Sequence, residues 1–103
     1  MSVLIVSAHP RGDSLNRHLA ETLAAQARAS GTDVTLLDLY ANGFDPVLTA
    51  AERGSFYATP YDGAAVAAQM AQLSRAEVLV LVFPTWWFGL PAILKGWIDR
   101  VWV

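Results

Sequence analysis

Two short runs of apolar residues stand out along the chain, Val3-Leu4-Ile5-Val6 near the start and Val78-Leu79-Val80-Leu81-Val82-Phe83 near the end. Both are continuous rather than alternating, and polar residues or Pro bound them. A strand with one wet face alternates; a continuous run suits a strand covered on both faces, as in parallel sheets lying under helices. After the first run, Leu15, Leu19, Leu23 and Ala27 recur at helical spacing up to Gly31, a residue suited to ending a helix. Val34 to Leu39 then reads as a second strand. From Tyr40 to Asp62 the pattern is irregular, broken by Pro46, Pro60, Gly43 and Gly54, and predicts a surface excursion. Ala64 to Ser74 predicts a short Ala-rich helix feeding the Val78 strand. Pro91 suits the first turn of a last helix, on which Ile93, Leu94, Trp97, Ile98, Val101 and Trp102 mark a broad apolar face.

Strand and helix therefore alternate three times, which predicts an α/β fold around a parallel sheet. A βαβ unit takes roughly 30 residues, so the chain is expected to hold about three strands, and a doubly wound sheet of five needs on the order of 150 residues. A single domain spanning residues 1–103 is expected. Three strands leave an open sheet edge. The expectation is thus a part of a larger sheet, or a chain completed by pairing with another.

Composition narrows the function. Hydrophobic residues make up 54% and charged ones 16%, enough apolar surface to exclude disorder. Seven basic against nine acidic residues leave a net charge of −2, which argues against a nucleic-acid partner, since neutralising phosphates takes a clustered excess of Lys and Arg. Without cysteine there are no disulfides, no thiolate chemistry and no cysteine-based metal site, and no metal is expected. An uncharged stretch from Val78 to Leu94 approaches bilayer-spanning length, but Pro84, Gly89 and Pro91 split it, so no membrane insertion is expected. The opening Met1-Ser2-Val3-Leu4 lacks the basic segment of a signal peptide, and the cytoplasm is the expected location.

Ligands of open α/β sheets bind beyond the carboxyl ends of the strands, where strand order reverses. The loops after the first and third strands are the places to look. The first, Ser7-Ala8-His9-Pro10-Arg11-Gly12-Asp13-Ser14-Leu15-Asn16, has neither G-x-G-x-x-G nor G-x-x-x-x-G-K-[ST]. It places polar side chains at the start of a helix, where free N–H groups and the helix dipole favour a phosphate. His9, Arg11, Ser14 and Asn16 supply candidate donors. The same residues also suit plain capping by Asp13 or Ser14, with His9 exposed in a turn. The second loop, Phe83-Pro84-Thr85-Trp86-Trp87-Phe88-Gly89-Leu90-Pro91, sets three large aromatics in succession, and three neighbours cannot all point into a core. An aromatic shelf with free amides suits a flat, conjugated ligand; an oligomer interface also concentrates aromatics. A phosphate at one loop and a planar ring at the other describe a flavin nucleotide.

The stretch from Pro84 to Val101, including Trp86-Trp87-Phe88-Gly89-Leu90-Pro91-Ala92-Ile93-Leu94-Lys95-Gly96-Trp97, resembles the flavin loop and following helix of the NAD(P)H:quinone oxidoreductase family, which includes DT-diaphorase and the bacterial modulators of drug activity. Ala8-His9-Pro10 with Ser14-Leu15-Asn16 resembles its phosphate loop, and Asp38-Leu39-Tyr40 its end of strand two. The resemblance covers essentially the whole chain. It implies a flavodoxin-like, doubly wound parallel sheet, here about its first three βα units, and a homodimer with FAD or FMN at the interface. It implies that His9, Ser14, Leu15 and Asn16 meet the phosphate or ribose, and that Pro84, Thr85, Trp86, Trp87, Phe88 and Gly89 line the isoalloxazine. NAD(P)H and a quinone would then exchange hydride over the ring face. Family members continue into two more strands carrying glycines, a Tyr and a His at the flavin, so about two-thirds of the site is expected here, and no catalytic acid or base is named. His18, early in the first helix, reads as a surface residue, and Lys95 with Asp99 as a surface ion pair. A flavin-binding regulatory subunit of a transport system and a non-catalytic remnant that only dimerises are the competing functions.

Overall fold

The computed structural model describes residues 1–58 and 60–102. Three strands, β1 (Ser2–Ser7), β2 (Asp33–Asp38) and β3 (Val78–Val82), alternate with helices α1 (Leu15–Ala29), α2 (Ala50–Gly54), α3 (Ala67–Arg75) and α4 (Ala92–Val101), and a 3-10 turn at Ala64–Val66 leads into α3. All strand pairs are parallel and the sheet order is β2-β1-β3. The central strand pairs Ser7 with Asp38 on one side and with Val82 on the other. Pairing continues one step further, with the Ala8 N–H donating to the Val82 carbonyl and the Leu39 N–H to the Ser7 carbonyl, both at 3.1 Å. The α/β fold around a parallel sheet expected from the alternation is present.

Each face of the sheet has its own core because side chains alternate along a strand. On one face Leu4, Val6, Ala8, Leu37 and Leu39 pack with Ile93, Leu94, Trp97 and Val101 of α4 and with Val66 and Phe44. On the other, Ile5 packs with Ala20 and Ala24 of α1, flanked by Val3, Val34, Leu36, Val80 and Val82. The inner face of α1 differs from the one its leucines predict. Leu15, Leu19 and Leu23 are 70, 51 and 40% exposed, while Ala20 and Ala24 are buried. The β-branched sheet residues already fill the space, and alanines one turn apart let the helix lie close against them. Two details of α4 also differ. Pro91 occupies the cap rather than the first turn, its carbonyl accepting from the Leu94 and Lys95 N–H groups at 3.0 Å, and Trp102 at the far end is exposed.

The segment expected as a surface excursion is fastened to α4 instead. Arg100 and Glu52 form a buried, two-pronged ion pair, with Nε to Oε1 at 3.0 Å and Nη2 to Oε2 at 2.9 Å. The remaining Arg100 Nη1 donates to the Asp45 carbonyl at 2.7 Å, and the guanidinium lies 5.7 Å from the Phe44 ring. Glu52 also closes a capping box with Thr49, accepting from the Thr49 N–H while the Thr49 hydroxyl accepts from the Glu52 N–H. With donors and carboxylate both satisfied, the burial of two charges is offset. The excursion is clipped at a second point, where Pro46 lies so close to Gly96 that a Cβ there would stand 2.2 Å from the Pro46 Cβ and 2.3 Å from its carbonyl oxygen.

Three outcomes test this clasp. Glu52→Gln strands the Arg100 charge and is expected to cost about 3–5 kcal/mol in urea unfolding. The Arg100 guanidinium, helped by hydrogen bonds at Thr49 and opposed by burial, holds the Glu52 carboxyl below its ordinary value. The folded chain therefore protonates at lower pH than the unfolded one. That stabilisation is complete above the unfolded glutamate value near ~4.3 and is lost as pH falls through the lower folded value. Thermal melts across acid pH should show the gap between wild type and Glu52→Gln narrowing as pH drops. For Gly96→Ala, helix propensity favours alanine by about 1 kcal/mol, but overpacking against backbone costs roughly 1–3 kcal/mol. A net loss of stability is expected by the same urea measurement.

Candidate functional site

The strand order places the loops after β1 and β3 side by side. His9 leaves β1 through buried Ala8 and is itself half-buried. Its ring meets that of Trp86 edge to face, with centroids 5.6 Å apart and planes at 64°. Its Nδ1 accepts from the Arg11 N–H at 3.0 Å. Arg11 is an exposed residue whose guanidinium is taken by Asp13 in a bidentate pair at 2.9 and 2.8 Å, and this partner lowers the Asp13 carboxyl below its ordinary value. Arg11 is therefore not the free donor its position in the loop suggested.

Ser14 caps α1, its hydroxyl oxygen accepting from the Arg17 N–H at 3.1 Å and its carbonyl from the His18 N–H. The capping role weighed for this residue is present. The first-turn amides of Leu15 and Asn16 lie ahead of these bonds, at the helix start, where N–H groups have no partner within the helix. Leu15 is exposed and Asn16 half-buried beside it. His18 is exposed, as expected. One set of ion pairs escaped the sequence reasoning. Arg17 forms an ion pair with Asp38 at the end of β2 and another with Glu21, tying the first turn of α1 to the neighbouring strand. The only sequence signal was an acidic residue closing a strand, and nothing in the pattern paired it with position 17.

The second loop rises from half-buried Pro84 through exposed Thr85 into a tight turn. Trp86 and Gly89 form an antiparallel bridge, with the Gly89 N–H donating to the Trp86 carbonyl at 3.1 Å. The two central residues are Trp87 at φ 52° and Phe88 at φ 62°. Positive φ at both central positions is the mark of a type I′ turn, normally made by Asn and Gly. Bulky aromatics there cost about 1–2 kcal/mol each. Both side chains are almost wholly exposed, at 95 and 103%, and Trp86 at 42%. The Trp87 and Phe88 N–H groups have no acceptor among the described residues. The structure thus brings His9 and Trp86 into contact, sets the α1 terminus and the aromatic turn at the same end of the sheet, and holds the aromatics out of the core.

Further from these loops, a cleft of about 620 Å³ lies between α2 and α4, lined by Leu48, Phe56, Tyr57, Ile98, Trp102 and the charged residues Arg53 and Asp99. Lys95 and Asp99 form the expected surface ion pair on α4. No three His, Asp or Glu side chains among the described residues converge as metal ligands, and no described helix is long and apolar enough to cross a membrane.

Comparison with known proteins follows the same lines. A family model described as "Flavodoxin-like fold" matches residues 1–103. A protein of Escherichia coli named "uncharacterized NAD(P)H oxidoreductase YcaK" is 40% identical over 101 residues, covering 97% of this chain and 52% of its own. NAD(P)H dehydrogenase (quinone) 1 of Cavia porcellus is 31% identical over 95% of this chain and 42% of its own. Among solved structures, an NAD(P)H:quinone oxidoreductase from Methanothermobacter marburgensis superposes with a TM-score of 0.82 at 30% identity, over all of this chain and 54% of its own. The chain spans about half the length of the curated relatives it matches.

The strained turn makes its own prediction. Phe88→Gly removes no burial and relieves the left-handed backbone, while glycine gains entropy in the unfolded chain. Guanidinium unfolding is expected to show a change between zero and about +1 kcal/mol. Trp97→Ala, which deletes a fully buried indole, should cost about 3–5 kcal/mol in the same assay.

Proposed function

We propose that this chain, which belongs to the flavodoxin-like fold family, is a flavin-binding domain (residues 1–103) of an NAD(P)H:quinone oxidoreductase, with FAD or FMN as cofactor. One observation carries the reading: the ring contact between His9 and Trp86 joins an anion-suited helix start to an exposed aromatic turn at one end of the sheet. The residues present fit such a group. At the α1 end, the Leu15 and Asn16 amides, with the His9 ring and the Asn16 side chain, suit the phosphate or ribose, and Ser14 keeps the helix start in shape. At the turn, Pro84, Thr85 and Gly89 frame Trp86, Trp87 and Phe88, whose exposed rings suit a flat heterocycle and whose free N–H groups suit its polar edge.

A bound flavin supplies reversible two-electron chemistry, the means by which hydride equivalents pass from NAD(P)H to a quinone. The protein's part is position and electrostatics. Amides fixed in the turn before any ligand arrives cost no reorganisation when negative charge builds on the polar edge. The aromatic side chains exclude water from the ring face they cover. No acid or base within these residues stands out for proton transfer. A second copy of the chain is the expected partner, since exposed Tyr57 and Trp102 around the apolar cleft between α2 and α4 have the make-up of an association surface. The cytoplasm suits a reaction that draws on NAD(P)H.

Titration of the purified chain with FMN and FAD, followed by the flavin absorbance bands, tests the proposal. Saturable binding that weakens roughly tenfold in Trp86→Ala is the expected result, and oxidation of NADPH by a quinone in the flavin-loaded protein extends it to catalysis. Binding without turnover would favour a regulatory flavoprotein. Failure of both flavins to bind overturns it.

A further inference from the structure

We propose that His9 is a positioning residue that couples the two loops, its ring oriented by a backbone amide and propping the Trp86 ring against its own. This deepens the flavin-site reading and rests on it only where ligands are concerned. Three facts carry the inference. The Arg11 N–H points at His9 Nδ1 from 3.0 Å, so that nitrogen must present its lone pair. In a neutral imidazole the proton then sits on Nε2, leaving one N–H donor on the far side of the ring from the Arg11 amide. The same ring stands edge to face with Trp86 at 5.6 Å.

The amide hydrogen bond is local to the turn, whereas the Trp86 contact reaches across to the other loop. Here the amide fixes how the ring lies, and the ring in turn meets the first aromatic of the strained turn. At the base of the two loops, the Ala8 N–H also donates to the Val82 carbonyl. The coupling has a consequence that simple phosphate binding lacks. Removing the His9 ring should weaken a ligand that has the flavin ring but no phosphate, because Trp86 loses its support. An edge-to-face aromatic pair corresponds to roughly a two- to tenfold effect. A ligand with the phosphate should lose more, about another tenfold, since the Nε2–H bond to a charged oxygen goes as well.

The test has one arm without ligand and one with. Long-range proton–nitrogen spectra of the apo chain, labelled at its histidines, should show His9 fixed with Nε2 protonated, while exposed His18 averages between tautomers; His18→Gln assigns the signals. Tryptophan emission should change on His9→Ala, and the change should vanish in a Trp86→Phe background. With ligands, His9→Ala should weaken riboflavin two- to tenfold and FMN further. His9→Phe, which keeps a ring beside Trp86 but no nitrogens, should restore riboflavin and not the added affinity for FMN. Averaged tautomers at His9, or an emission change that persists without Trp86, overturns the coupling. So does a riboflavin affinity indifferent to His9→Ala while FMN weakens. If the wild type binds neither flavin, the functional proposal fails, and the apo spectra and emission still decide the role of His9.

Discussion

The parallel pairing of β3 with β1 governs what this chain can do. In that register Ser7 stands opposite Val82, and the bond from the Ala8 N–H to the Val82 carbonyl carries the pairing to the last residue before the chain turns away. Both loops therefore leave the sheet at the same height from adjacent strands, which stand about 4.8 Å apart. A ring from each loop can meet with little adjustment. Had β3 joined on the far side of β2, His9 and Trp86 would be separated by an intervening strand. The meeting of the two loops thus follows from strand order.

Helix α4 transmits that placement to the rest of the fold. Its N-terminal end receives the aromatic turn through buried Pro91, its middle drives Trp97 into the core, and its far end carries Arg100 into the ion pair with Glu52. A turn in a strained conformation needs a stiff base, since strain persists only where the surroundings over-determine it. The base here is covalently continuous with a helix pinned at both ends. The Arg17–Asp38 pair does the corresponding work on the other loop, fixing the first turn of α1 to β2.

The two continuous apolar runs revealed the strands and their parallel arrangement, because burial on both faces leaves a plain record in residue type. The aromatic cluster was equally legible, since three neighbours with alternating directions cannot share a core. What escaped has physical reasons. The inner face of α1 was hidden because leucine outweighs alanine in any hydrophobic pattern, yet close approach to a sheet of Val and Ile favours the smaller residue at positions 20 and 24. The Glu52–Arg100 clasp spans 48 positions, and each partner alone looks like a surface charge. The turn conformation was hidden too. Gly89 invites a left-handed backbone at its own position, whereas the positive φ values fall on Trp87 and Phe88, where residue preference argues against them.

That misfit between residue and backbone is itself informative. Two aromatics at positive φ cost about 1–2 kcal/mol each, and their side chains, lying in water, recover nothing through burial within the chain. A turn selected for stability alone would carry Asn-Gly at these positions. Small or polar residues would remove the strain and the exposed apolar surface together. Left in water, these aromatic side chains add nothing to the stability of the described fold. The turn shape that strains them also fixes their backbone amides in one arrangement. Preorganisation of this kind lowers the ordering cost at the moment of binding, and the strain held in the free chain is the counterpart of that gain.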